Sequence, residues 1–527
     1  MNHEKSTDLD AALATMSADG LRGLVHELLR ELDERTYARF MGSLIVRAAR
    51  AGSGWAPAAV SEKQVAEVLA FVRAAKRAGQ ADPSEVDEYL RRGSAAFLRK
   101  DYSAAHRILG AILPPLGDGE IDLGQRELVD DVLGADVGEC AAQYVVSAYR
   151  VAPVAERAEV VHTAIETVRG VGRFWEPLRE MERVAVEALP DLRDFLPAWR
   201  ALVANKPAGK RTSDWDTEED RWLREVVQRL EGSAGLQKVA RSTRRADDLR
   251  AWCKSLVDAG DWKTALTAFE EAAELVTDKD YTRGEFLDGA ALAAQTLELE
   301  DVAAYLERAW RASPSLPRLR RWLGSSNSEA TLGKRVAEAL EACPKKASGQ
   351  RALLHVLSHD FAPAAKLLAS APCLGWSNDE HPGHLAFMLF ARLLGGLRTK
   401  AAVRSEPMSQ GAMDLKEIVT MSPDPEAPRL VTPQVDALLG LAGVERISDA
   451  ASRTLVVASM KKAAEIRVAG VTDQKRRRHY GHAAELVATC VACDNSSATA
   501  RWVAALQAEY RRFPALRAEL DRAMGRK

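Results

Sequence analysis

The sequence predicts an all-α protein: an irregular α-solenoid of stacked helical hairpins followed by a C-terminal helical domain. Three observations carry this expectation. Alanine, leucine and arginine fill much of the chain, alternating runs of β-branched residues are nearly absent, and one short pattern occurs three times. The pattern reads Asp101-Tyr102-x-x-Ala105, Asp261-Trp262-x-x-Ala265 and Asp360-Phe361-x-x-Ala364, each at the start of an amphipathic stretch. An aspartate before an aromatic residue is expected to close a turn and cap the second helix of a hairpin. The aromatic ring plugs the base, and the small alanine lets the two helices approach closely.

Taken in order, the first helices fall between Asp8 and Ala51, where Leu21, Leu24, Val25, Leu28, Leu29 and Leu32 recur every three or four residues. That spacing predicts a helix with one buried face. The run Gly52-Ser53-Gly54-Trp55-Ala56-Pro57 breaks it, and Ser61 caps a following helix whose inner side is Val65, Val68, Leu69 and Val72. The first clear hairpin begins at Asp82-Pro83-Ser84. It places Tyr89, Gly93 and Phe97 on one helix and Ala105, Leu109 and Ile112 on the next, with Pro114-Pro115 expected to end it. A short polar run, Asn205 to Arg211, separates this block from a helix opening at Asp216-Thr217-Glu218-Glu219. In the middle of the chain, Leu249, Trp252 and Leu256 precede the Asp261 turn, and Ala265, Phe269 and Ala272 follow it. The tract from Arg398 to Pro433, rich in proline, methionine and serine, reads as an exposed loop, after which helix returns and ends in Trp502, Leu506, Tyr510, Phe513, Leu516 and Leu520. The expected organisation is a helical domain over 1–204 with one hairpin, a repeat domain over 216–397, a flexible linker over 398–433 and a C-terminal helical domain over 434–527.

These hairpins resemble tetratricopeptide repeats, most closely from Leu249 to Ala272, where Cys253 stands at the position that the family usually gives to glycine. Degenerate copies run through Ala290, Ala293, Leu306, Ala309 and Pro314, and through Leu354, Asp360, Phe361, Ala364, Leu368 and Ala371. The resemblance implies a groove lined by first helices that holds a protein partner. Tyr89, Arg92, Ala96, Leu249, Trp252 and Leu256 are the expected partner-binding residues.

The chain has 527 residues, with 73 basic against 75 acidic side chains and a net charge of -2. No bulk charge points to nucleic acid, and none is expected as a partner. Apolar runs are short and flanked by charges, so no membrane span or secretion signal is expected, and the six scattered cysteines fit reduced, cytoplasmic thiols.

Residue types with chemical potential have bland readings. His355, His359, His381 and His384 could converge on a metal, but each fits a turn or helix end. Cys490-Val491-Ala492-Cys493, near His479 and His482, lacks both a second Cys pair and the strand-to-helix setting of a redox motif. Lys475 to Arg478 is a basic run beside Tyr480, read as a solvated helix start. No nucleophile turn or complete phosphate loop is present, so no catalytic residue, cofactor or small-molecule substrate is expected.

The expected function is therefore a non-enzymatic protein-binding scaffold or adaptor. One alternative is a regulated protease substrate or conformational switch cut in the 398–433 loop, where Met408, Met413, Lys416 and Met421 lie. Another is a metal-dependent enzyme or nucleic-acid accessory protein using the histidines or the basic run.

Overall fold

A computed structural model describes residue 9 and residues 11–51, 54–124, 129–205, 216–276, 280–378, 380–395 and 418–525. Of the described residues 73% are helical and 2% strand; the 25 described helices pack in sequence order on their neighbours, a solenoid-like all-α arrangement. The chain forms two compact units, Met1–Leu236 and Gln237–Lys527.

One reversal recurs through the chain. After the helix Pro83–Leu98, Lys100 takes a left-handed φ of 66°, its amide donates to the Phe97 carbonyl, and the Asp101 amide reaches back to Ala96 at 3.0 Å. The same pair of bonds closes the turn at Gly260-Asp261 (φ 72° at Gly260) and at His359-Asp360 (φ 58° at His359). It also appears at Glu298-Leu299 and Lys475-Arg476, where the sequence carries no Asp-aromatic pattern. Each turn satisfies two of the carbonyls that a helix end leaves open, which offsets the cost of the left-handed residue.

The caps divide according to the residue at the third helical position. Asp101 accepts from Ala104 N at 3.0 Å and Asp261 from Thr264 N at 3.1 Å. Asp360 makes no such bond, although the pattern predicts one. Its third helical position is Pro363, which has no N–H to give. The helix Tyr102–Gly117 differs from expectation as well, running through Pro114 and Pro115, whose carbonyls accept from Asp118 N and Ile121 N.

In the first unit, α1 (Ala18–Glu31) and α2 (Glu34–Arg50) precede Glu62–Ala78, which opens with the expected Ser61 cap, completed by Gln64 into a capping box. Helices Pro83–Leu98 and Tyr102–Gly117 cross at Gly93, where a Cβ would sit 2.5 Å from Leu109 Cδ2. Val137–Val151 packs on both of them. The far end of this core is an aromatic stack of Phe195, Trp199 and Trp222, with ring centroids 5.8 Å apart at each step. Trp222 Nε1 donates to the Phe174 carbonyl at 2.7 Å.

In the second unit one core continues from Ala291 to Leu520, so Ala450–Asp473 and the helices after it share it with Ser348–Leu357, Phe361–Ala369 and Pro382–Leu393. Trp310 and Trp322 stack at 5.1 Å, and Trp310 Nε1 donates to Gln350 Oε1. Where the sequence suggests only a loop, β1 (Ile418–Thr420) pairs antiparallel with β2 (Arg429–Val431). The end of this hairpin is fastened by a helix of buried arginines, Leu316–Gly324. Arg321 Nε donates to Thr432 Oγ1 at 3.0 Å, Arg320 Nε donates to the Pro433 carbonyl at 2.9 Å, and Gln295 Nε2 holds the Arg429 carbonyl. Gly324 lets Pro433 approach, since a Cβ there would lie 2.3 Å from the proline ring. The buried carboxylate of Asp288 balances the arginines, 2.8 Å from Arg318 Nε and 3.2 Å from Arg321 Nη1.

Two outcomes follow for chemical denaturation. Asp101→Ala and Asp261→Ala should each lower stability by about 1 kcal/mol, whereas Asp360→Ala should stay within about 0.5 kcal/mol of the parent; three equal losses would contradict the capping account. Asp288→Ala strands two buried guanidinium groups and should cost about 3–5 kcal/mol, with a loss below about 1 kcal/mol marking the pair as solvated.

Candidate interaction surface

The residues expected to line a groove are mostly interior. Ala96, Leu249, Trp252 and Leu256 are buried in hairpin cores, and Tyr89 is buried against Phe71, with ring centroids 4.6 Å apart. The reason is that each lies on a side of its first helix that packs against a neighbouring helix, before or after it in sequence. Arg92 alone is partly exposed; it lies over the Tyr89 ring and pairs with Glu67 and Glu88.

Three of the four histidines meet backbone groups, and the fourth, His355, lies beside a carboxylate. His359 is the left-handed residue of its turn, and its Nε2 lies 2.9 Å from the Ala442 carbonyl. His381 caps Pro382–Leu393 by accepting from Gly383 N at Nδ1, while its Nε2 donates to the Pro372 carbonyl. His384 Nδ1 is 2.9 Å from the Trp376 carbonyl, and His355 Nδ1 is 3.7 Å from Asp360 Oδ2. Burial holds the His355 and His381 imidazoles below the usual histidine range. Cys490 and Cys493 are buried; burial pushes the Cys490 thiol far above the ordinary range, and Cys493 Sγ points at the Ala391 carbonyl. Among the described residues no three His, Cys, Asp or Glu side chains gather as a metal site.

Lys475 to Arg478 are exposed as expected. Of the loop residues, Met408, Met413 and Lys416 lie outside the described residues, and Met421 packs against the second unit's core just beyond β1. Among the described residues no helix is long and apolar enough to cross a membrane.

A different surface stands out, at the start of the chain. Ser17 caps α1 by accepting from Gly20 N at 3.1 Å, and Asp33 caps α2 by accepting from Thr36 N at 3.0 Å. The leucine stripe of α1 is the strongest sequence signal for a buried face in this region, yet no residue of α1 is buried. Leu28 is 56% exposed, and α2 adds Tyr37, Phe40 and Leu44, each more than 40% exposed. The opposite outcome holds for Ile45, Val46 and Ala49 of α2, which pack against the core of the first unit. At 100° per residue these two sets occupy different sides of α2, so the helix is anchored by one face and offers the other.

No protein-family model matches the chain, and no curated protein sequence matches it.

Because they are largely exposed, Leu28→Glu, Phe40→Glu and Leu44→Glu should leave the unfolding free energy within about 0.5 kcal/mol of the parent. A drop of 2 kcal/mol or more, on the order of that for a core leucine, would place these side chains in an internal core instead.

Proposed function

We propose that this protein is a non-enzymatic scaffold, built of hairpins like those of tetratricopeptide repeats, that engages a partner protein through the apolar faces of α1 and α2. The observation that supports the reading most is α1 itself, a 14-residue amphipathic helix with no buried residue. A helix that short is marginal in water on its own, and helices in proteins draw most of their stability from packing one face. Full burial of each leucine of the stripe would contribute about 1.5–3 kcal/mol. The matching surface is a helix of the partner. Leu21, Leu24, Leu28 and Leu32 recur at intervals of three and four, which is the seam that a second helix fills with its own apolar ridge. An extended peptide would instead need a sheet edge or a groove with pockets at alternate positions.

Affinity purification from the source organism, followed by reconstitution from purified components, tests this. The expected result is a stoichiometric complex that reforms in vitro, is lost in a Leu24→Glu/Leu28→Glu double variant and is kept in an Arg73→Ala control. A chain that returns alone, or a complex indifferent to the double variant, would overturn the reading; self-association through α1, seen by light scattering, would replace the partner with a second copy.

A further inference from the structure

The side of α2 that carries Arg39, Ser43 and Arg50, bordering the exposed aromatic face at Arg47, closes a cleft of about 360 Å³ in the first unit. Four further segments contribute to it: Pro83–Leu98, the turn Gly134–Asp136, Val137–Val151 and Pro177–Val184. Five arginines line the cleft, Arg39, Arg47, Arg50, Arg91 and Arg183, against two carboxylates, Asp136 and Glu139. Asp87 and Glu180 pair with Arg91 and Arg183 from just outside the lining, so five positive and four negative charges leave a local excess of +1 in a chain whose net charge is -2.

The arginines are not equivalent. Glu139 is shared by Arg50 and Arg183, with one Nη of each guanidinium 2.6 Å from a different carboxylate oxygen. Arg50 also donates to the Val184 carbonyl at 2.8 Å, which ties α2 to Pro177–Val184. Its Nε is buried and has no hydrogen-bond partner. Arg91 pairs with Asp87, whose oxygens also accept from Gly134 N and Ala135 N and so shape the turn at the cleft wall. Arg39 and Arg47 have neither an ion pair nor a hydrogen bond among the described residues. They sit eight residues apart on α2, about 12 Å along the helix. Between them and Arg50, three guanidinium groups on one helix side have donors left over. The floor, at Val46, Ala135 and Cys140, is apolar, and Ser43 and Ser94 add hydroxyls.

We propose that this cleft binds a small polyanion, a molecule of nucleotide size carrying phosphate or carboxylate groups, whose anionic oxygens take up the free donors of Arg39, Arg47 and Arg50. Guanidinium forks match the planar oxygen pairs of both groups bidentately, and a cleft of this volume lies within the range of small-molecule sites. Arg91 and Arg183, held by Asp87, Glu139 and Glu180, form a fixed and neutralised far wall, so the uncompensated positive charge comes from α2. The ligand would join α2 to the rest of the first unit, because α2 supplies the free arginines while the other walls belong to the packed core. This inference does not depend on the partner-binding reading, which rests on the apolar side chains of α1 and α2 and not on the arginines.

The test is calorimetric titration of the full-length chain with ATP, pyrophosphate and citrate at low ionic strength. The expected result is saturable one-site binding of at least one probe, weakened tenfold or more in Arg39→Ala/Arg47→Ala and unchanged in Arg73→Ala, with affinity falling as salt rises. Binding of pyrophosphate and ATP alone assigns a phosphate ligand, and binding of citrate alone a carboxylate one. Absence of saturable binding by all three probes, equal binding by the double variant, or binding of poly-glutamate in their place would overturn the proposal. Because Arg39 and Arg47 are exposed and unpaired, the double variant should keep the parent's circular dichroism and melting temperature, which separates loss of the site from loss of the fold.

Discussion

The hairpins of this protein depend on one reversal, a left-handed residue followed by an amide that bonds to the carbonyl five positions back. It is seen with lysine, glycine, histidine and glutamate at the left-handed position, so the conformation is imposed by the packing of the two helices and not by a permissive residue. A non-glycine residue there costs about 1–2 kcal/mol. That cost is offset only if the two helices it joins bury their facing stripes. The turn and the core therefore support each other: the close crossing of Gly93 over Leu109 needs the reversal at Lys100, and Lys100 holds its conformation because Phe97 and Tyr102 are packed on either side. The same dependence explains why the array tolerates irregular spacing. Each hairpin closes itself, and the surfaces between hairpins differ from one to the next.

Much of this was legible in the chain, because local physics governs turns and stripes. Asp101 and Asp261 cap as the pattern demands, and Ser61 and Thr217 open helices through bonds between residues three apart. The exceptions have local causes too, as Pro363 shows by removing the donor that Asp360 would have used. What sequence could not reveal is long-range. Nothing local in the sequence singles out Arg318, Arg320 and Arg321, and only the fold shows that their partners include Asp288, about thirty residues away, and a hairpin end more than a hundred residues on. Expected groove residues such as Leu249 and Trp252 proved interior because a repeat's strongest signature residues are those that pack the hairpin, while residues that meet a partner obey no repeat.

The N-terminal helices show the limits of periodicity in the other direction. A leucine stripe establishes that one face is apolar, but not what covers it, and in α1 the described residues cover it only in part, leaving none of its side chains buried. Helix α2 has three distinct sides: Ile45 and Ala49 toward the core, Arg39 and Arg50 toward a cleft, and Tyr37, Phe40 and Leu44 outward. The cleft was invisible in sequence because its arginines come from three separated stretches and look, one at a time, like ordinary solvated charges.

The central claim is that the hairpins are held by their own cores whereas α1 lacks a covering surface of its own. Amide hydrogen exchange on the full-length chain measures this directly. The account predicts strong protection through Pro83–Leu98 and Tyr102–Gly117 and exchange in α1 faster by several orders of magnitude, consistent with local opening at little free-energy cost. Protection of α1 equal to that of those two helices, in the isolated chain, would contradict it.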